Sequence, residues 1–164
     1  MGAAYSFVSR WRVPAPPERC WAEIERMISI PAQSADSIRR LRPGARPTWW
    51  RSVAVARAPA RLAVGESLEL SVRSPLGYRL HPRLTITDLV AGRRIEVAST
   101  GDLSGTGRVD LAGDDATTDI TIHWDVSTER AWMNATALVL RPAFAWAHAR
   151  VMAEGERGLR TALG

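Results

Sequence analysis

The chain has 164 residues, 46% of them hydrophobic and 24% charged, which suits one globular domain over 1–164 and is long enough to bury its own core without disulfides or a structural metal. One cysteine, Cys20, excludes an intrachain bridge and a zinc cluster, and a bound cofactor is not expected. A net charge of +5 raises the question of nucleic acid or anionic membrane, yet all 22 basic residues are arginine beside 25 alanines, a bias that a GC-rich genome produces without selection for binding.

Residues 5–13 alternate, with Tyr5, Phe7, Trp11 and Val13 on one side, as in a half-buried strand that Pro14 stops. Pro16 and Pro17 suit a first helical turn, and Cys20, Trp21, Ile24, Met27 and Ile28 recur at helical spacing, predicting an amphipathic helix over 17–28. A second, shorter helix is predicted over 34–41, with Ser34 as N-cap and Pro43-Gly44 as its end. Residues 37–65 hold Arg39, Arg40, Arg42, Arg46, Arg51, Arg57 and Arg61 with no acid. This stretch reads as a solvated basic face, with an anion-attracting patch as the alternative, and no nucleic-acid partner is expected.

From Arg51 the period becomes two. Strands are predicted over 51–57, 66–73, 78–89, 94–100, 105–111 and 117–128, separated by turn signals such as Pro75-Leu76-Gly77 and Gly113-Asp114-Asp115. Connections this short permit only antiparallel neighbours. Residues 133–163 return to helical period, with a stripe that includes Met133, Ala137, Leu140, Phe144, Ala147, His148, Val151, Gly155, Gly158 and Leu159. Pro142 predicts a kink or break near Arg141. No apolar run reaches the length of a membrane span and residues 1–10 lack a signal-peptide pattern, so a cytoplasmic protein is expected.

The expected class is α+β: a seven-stranded antiparallel sheet wrapped around a long C-terminal helix, with one or two short helices between strands 1 and 2. This order resembles the helix-grip fold of the START-like or SRPBCC superfamily, and within it the bacterial polyketide cyclase/dehydrase group. The likeness rests on Val13-Pro14-Ala15-Pro16-Pro17-Glu18 leading to Trp21, on Trp49-Trp50, on the run from Gly101 to Gly107, on Trp124-Asp125-Val126 and Trp132-Met133, and on Trp146-Ala147-His148 with Val151-Met152, Gly155 and Gly158-Leu159. It implies a lipid-binding or polyketide-binding cavity.

Strand parity assigns the inward side chains, almost all apolar; the polar ones in register are Ser9, Arg51, Tyr78, Asp88 and Ser99. The expected ligand contacts are Phe7, Trp11, Trp50, Tyr78, Leu84, Val97, Ser99, Trp124, Phe144, His148 and Val151. His148, in the apolar stripe of the last helix, is the best catalytic candidate, while His81 and His123 fall out of register and are read as exposed. Cys20 is read as a buried, inert thiol. The glycines of 101–107 join two strands, so they are read as hairpin and cavity glycines rather than a phosphate loop.

The expected function is binding, carriage or sequestration of a small hydrophobic or aromatic molecule. The alternative is an enzyme resembling polyketide cyclases or dehydratases, with His148 as base and Tyr78, Ser99 or Arg51 polarising a carbonyl. Membrane contact, if made, is expected to be transient, and the protein to be a monomer or homodimer.

Overall fold

A computed structural model describes residues 2–29 and 46–164. The predicted helix over 34–41 and Arg39, Arg40 and Arg42 lie outside the described residues. β1 (Ala4–Val13) leads into α1 (Pro17–Ile28), and eight further strands follow: β2 (Arg46–Pro47), β3 (Val53–Arg57), β4 (Ser67–Arg73), β5 (Arg79–Leu80), β6 (Pro82–Val90), β7 (Arg94–Gly101), β8 (Leu103–Gly113) and β9 (Thr118–Thr128). The chain closes with α2 (Ala131–Leu163).

All strands belong to one antiparallel sheet in the order β1-β9-β8-β7-β6-β4-β3-β2, with β5 beside β4. Seven strands are long, as expected, and the two extra ones are two-residue pairings at its margin. β1 pairs with the last strand along its whole length, from Ala4 opposite Ser127 to Val13 opposite Thr118. That pairing joins the beginning of the sequence to its last strand, so the strand leading into α1 lies beside the one leading into α2.

The helices follow the pattern of their apolar residues. Pro17 occupies the first turn of α1, where its missing N–H costs nothing, and Cys20, Ile24 and Ile28 are buried at four-residue intervals. α2 runs unbroken for 33 residues with Pro142 inside it, so of the predicted kink or break near Arg141 the break does not occur. Pro142 lies on the exposed side, where the proline ring meets water rather than a packed neighbour.

Two apolar clusters hold the sheet and helices together. The larger gathers Trp11, Val13, Cys20, Ile24, Leu84, Ile86, Ile120 and Leu159 between the sheet, α1 and the second half of α2. The smaller joins Tyr5 of β1 to Met133 and Phe144 of α2 at the opposite end. Between them the sheet and α2 stand apart.

Candidate functional site: an apolar cavity under the long helix

That gap is a cavity of about 280 Å³ between the sheet's inner face and α2. Its presence explains an oddity of burial: Val109, Ile122 and Trp124 point inward from the middle of β8 and β9, yet remain only half-buried because they face a hollow.

Of the eleven expected contacts, ten line the cavity: Phe7, Trp11, Trp50, Tyr78, Leu84, Val97, Trp124, Phe144, His148 and Val151. Ser99 does not. It is buried in the curl of the β7–β8 hairpin, where its hydroxyl donates to the Leu103 carbonyl at 2.7 Å, so its one O–H donor is used within the hairpin. Arg51 lies exposed in the turn before β3 and does not reach the wall. Asp88 follows a bulge: Ile86 is opposite Val97 but Asp88 is opposite Glu96. The extra residue reverses side-chain parity, sending Asp88 outward and bringing Leu89 against the core.

One end of the cavity is a tryptophan cluster. Thr48 shapes the 48–53 turn, accepting from the Trp50 N–H at 3.0 Å and donating to the Val53 carbonyl at 2.7 Å. Trp49 and Trp50 then stack with centroids 6.0 Å apart and 7° between planes, and Trp11 meets Trp50 edge-on at 5.2 Å. Both adjacent tryptophans reach the cavity. The indole N–H of Trp50 donates to the Val151 carbonyl of α2 at 2.7 Å. Glycines make this approach possible. A Cβ on Gly155 would stand 2.5 Å from the Trp50 ring and 2.8 Å from that of Trp11, and one on Gly158 would stand 2.2 Å from the Trp49 carbonyl oxygen. The function of the glycines in the helical stripe is thus to admit three indoles.

The other end is built from smaller rings. Phe7 and His148 stack at 4.1 Å and 12°, Tyr5 lies edge-on to Phe144, and Tyr78 meets both Trp132 and Phe144 edge-on. Arg141 caps Tyr5 from outside, its carbon 5.4 Å above the ring, and donates to the Ala4 carbonyl at 3.0 Å. Between the two ends Gly107 sits beneath Trp124; a Cβ there would be 2.4 Å from the indole. Gly107 is thus one of the cavity glycines of the 101–107 run, and its missing side chain makes room for the Trp124 ring on the wall.

Polar chemistry in this wall is sparse. Burial pushes the His148 imidazole down to about 4, so it is neutral at pH 7. No carboxylate of the described residues lines the cavity. Arg108 borders it, but its exposed guanidinium faces outward onto Asp110 and Glu96. His123 is half-buried on the outer side of β9 and His81 is exposed. Burial raises the Tyr5 phenol, against a smaller lowering by Arg141, and raises the Cys20 thiol in the same way. Three buried donors, the Tyr5 hydroxyl and the indole N–H groups of Trp11 and Trp49, have no hydrogen-bond partner among the described residues. No group of His, Cys, Asp and Glu able to hold a metal occurs among the described residues.

No protein-family profile matches the sequence, and no curated protein matches it. Solved structures do match in shape. A START superfamily protein from Mycobacterium smegmatis superposes with a TM-score of 0.64 at 12% identity, covering 96% of each chain. The Zhui aromatase/cyclase from Streptomyces sp. R1128 gives 0.63 at 14% identity, over 98% of this chain and 94% of the other. TTHA0849 from Thermus thermophilus gives 0.62 at 14% identity, over 97% of each. The chain therefore has the START-like, SRPBCC-type helix-grip fold.

Proposed function

We propose that the protein binds one compact, uncharged, ring-containing hydrophobic molecule in the cavity under α2, as a carrier or sequestering protein. The observation that carries this reading is the wall itself: about 280 Å³ lined almost wholly by aliphatic and aromatic side chains, with no carboxylate among the described lining residues. The volume is at the small end of ligand sites, which favours a few fused rings over a long-chain lipid. Desolvating a charged ligand against such a wall would cost several kcal/mol with nothing to offset it. The wall offers almost no polar surface, so shape and apolar contact rather than hydrogen bonding supply the selectivity.

A second reading, a cyclase or dehydratase acting on a poly-ketone, is favoured by His148, whose imidazole lies on the wall stacked on Phe7. A general base is most effective when its pKa lies near the operating pH, and an imidazole pushed down to about 4 with no carboxylate among the described lining residues is a weak base at pH 7. Binding is therefore the stronger conclusion.

Native mass spectrometry of freshly purified protein, followed by denaturing extraction, tests it. A stoichiometric hydrophobic adduct is expected. A protein that emerges unliganded and is not stabilised by any of a panel of neutral aromatic polyketides overturns the reading. His148→Gln separates the alternatives: a carrier retains affinity within a few fold and has no turnover to lose, whereas an enzyme loses turnover at nearly unchanged affinity.

A further inference from the structure

The first five turns of α2 are apolar on both sides. The inner side holds the buried Met133, Ala137, Phe144 and Ala147. Opposite them, the exposed positions from 131 to 149 carry alanine, leucine, valine, proline and tryptophan, with Arg141 the one charged residue among them. Leu138 is 94% exposed, Val139 80% and Trp146 52%. Beyond residue 153 the same outer side changes to Arg157 and Arg160, as on an ordinary amphipathic helix. The apolar outer face is thus confined to the half of α2 that roofs the Phe144 end of the cavity.

Its charge has one sign. Residues 131–153 contain no acid and include Arg141 and Arg150, the latter 6.0 Å over the Trp146 ring. The 70–87 segment also lacks acids; it meets α2 through the Tyr78–Trp132 contact at 5.4 Å and presents exposed Leu76 between Arg73 and Arg79. The neighbouring Asp102 is paired with Arg130 before the helix begins. Two copies of this face packed together would set arginine against arginine with no acid to receive it, which disfavours self-association. An anionic bilayer meets every requirement: hydrocarbon for Leu138 and Val139, headgroup depth for the two tryptophans and negative charge for the arginines.

We propose that the outer face of residues 131–150, with the Leu76 turn beside it, docks on a bilayer surface containing anionic lipid. This inference is independent of the ligand's identity and of whether the cavity is filled.

Co-sedimentation with vesicles of pure phosphatidylcholine, and of phosphatidylcholine with about 30% phosphatidylglycerol, tests it at low and physiological salt. Binding to the anionic vesicles alone, weakened by salt, is expected. Leu138→Glu should lower the partition coefficient about tenfold or more without changing the melting temperature, since the side chain is almost wholly in solvent. Arg150→Gln should lower it about fivefold. Should Leu138→Glu fold poorly, Val139→Gln serves in its place. Failure of the wild type to bind anionic vesicles, or a Leu138→Glu variant that binds as wild type does, overturns the proposal. So does a wild-type dimer that this substitution converts to monomer, because the face would then be covered by a second copy.

Discussion

His148 is held neutral by its surroundings, and this ties the stability of the fold to pH. Its folded pKa, about 4, lies below the ordinary 6.5, so the unfolded chain takes up the proton first as pH falls. Stability attributable to this site is complete above pH 6.5 and declines through the window down to about 4, by about 3 kcal/mol in all. The carboxyls of Asp102 and Asp110, held down chiefly by hydrogen bonds from Arg130 and Arg108 respectively, add their loss only at lower pH. Wild-type melting temperatures measured from pH 7 to pH 4.5 should therefore fall more steeply than those of His148→Gln; parallel curves would show that the imidazole is not shielded. Gly155 supports a second expectation. Alanine is the better helix former by about 1 kcal/mol, but its Cβ must displace the Trp50 and Trp11 rings. Gly155→Ala should lose about 1–3 kcal/mol on balance in urea unfolding. In the sequence Gly155 and Gly158 show only as small residues within an apolar stripe, because the indoles they admit, Trp11, Trp49 and Trp50, lie in distant parts of the chain.

At the scale of elements, alternation made most of the sheet legible, and it failed where the chain departs from a simple pleat. A bulge between Ile86 and Asp88 put Leu89 where parity placed Asp88. His81 interrupts the predicted 78–89 strand, so that β5 and β6 pair separately with β4 and Tyr78 stands in the preceding turn. The hairpin curl that engages the Ser99 hydroxyl depends on the path of β7 into β8, which periodicity does not contain. α2 was legible on its inner side from its stripe. Its outer apolar side is equally plain in the residues but gains meaning only once no described residue is seen to pack beyond it. Pro142 is also decided at this scale. Its N cannot donate within the helix, yet α2 continues through it, so Pro142→Ala should restore one backbone hydrogen bond with no packing lost and raise stability by about 1–3 kcal/mol. Thermal melting measures the gain, and an unchanged midpoint would mean that the surrounding turns already compensate.

Considered whole, the molecule trades packing for a hollow. The long helix is anchored to the sheet at one end by the tryptophans against Gly155 and Gly158 and at the other by Tyr5, Met133 and Phe144. These two anchors hold α2 away from the middle of the sheet, so that Val109 and Ile122, opposite each other on β8 and β9, face empty space. A space lined by apolar groups forfeits the dispersion contacts a filled core would make, and a ligand that fills it stabilises the fold by mass action. Enlarging a side chain into the hollow should imitate the ligand. Val109→Phe adds apolar volume where nothing must move, so the unliganded variant should be at least as stable as wild type, by up to about 1–2 kcal/mol. The same ring should exclude the native molecule and remove the adduct from the native mass spectrum. A destabilised variant would mean that the space between the two anchors closes in solution; a stable variant that still carries the adduct would place the ligand elsewhere.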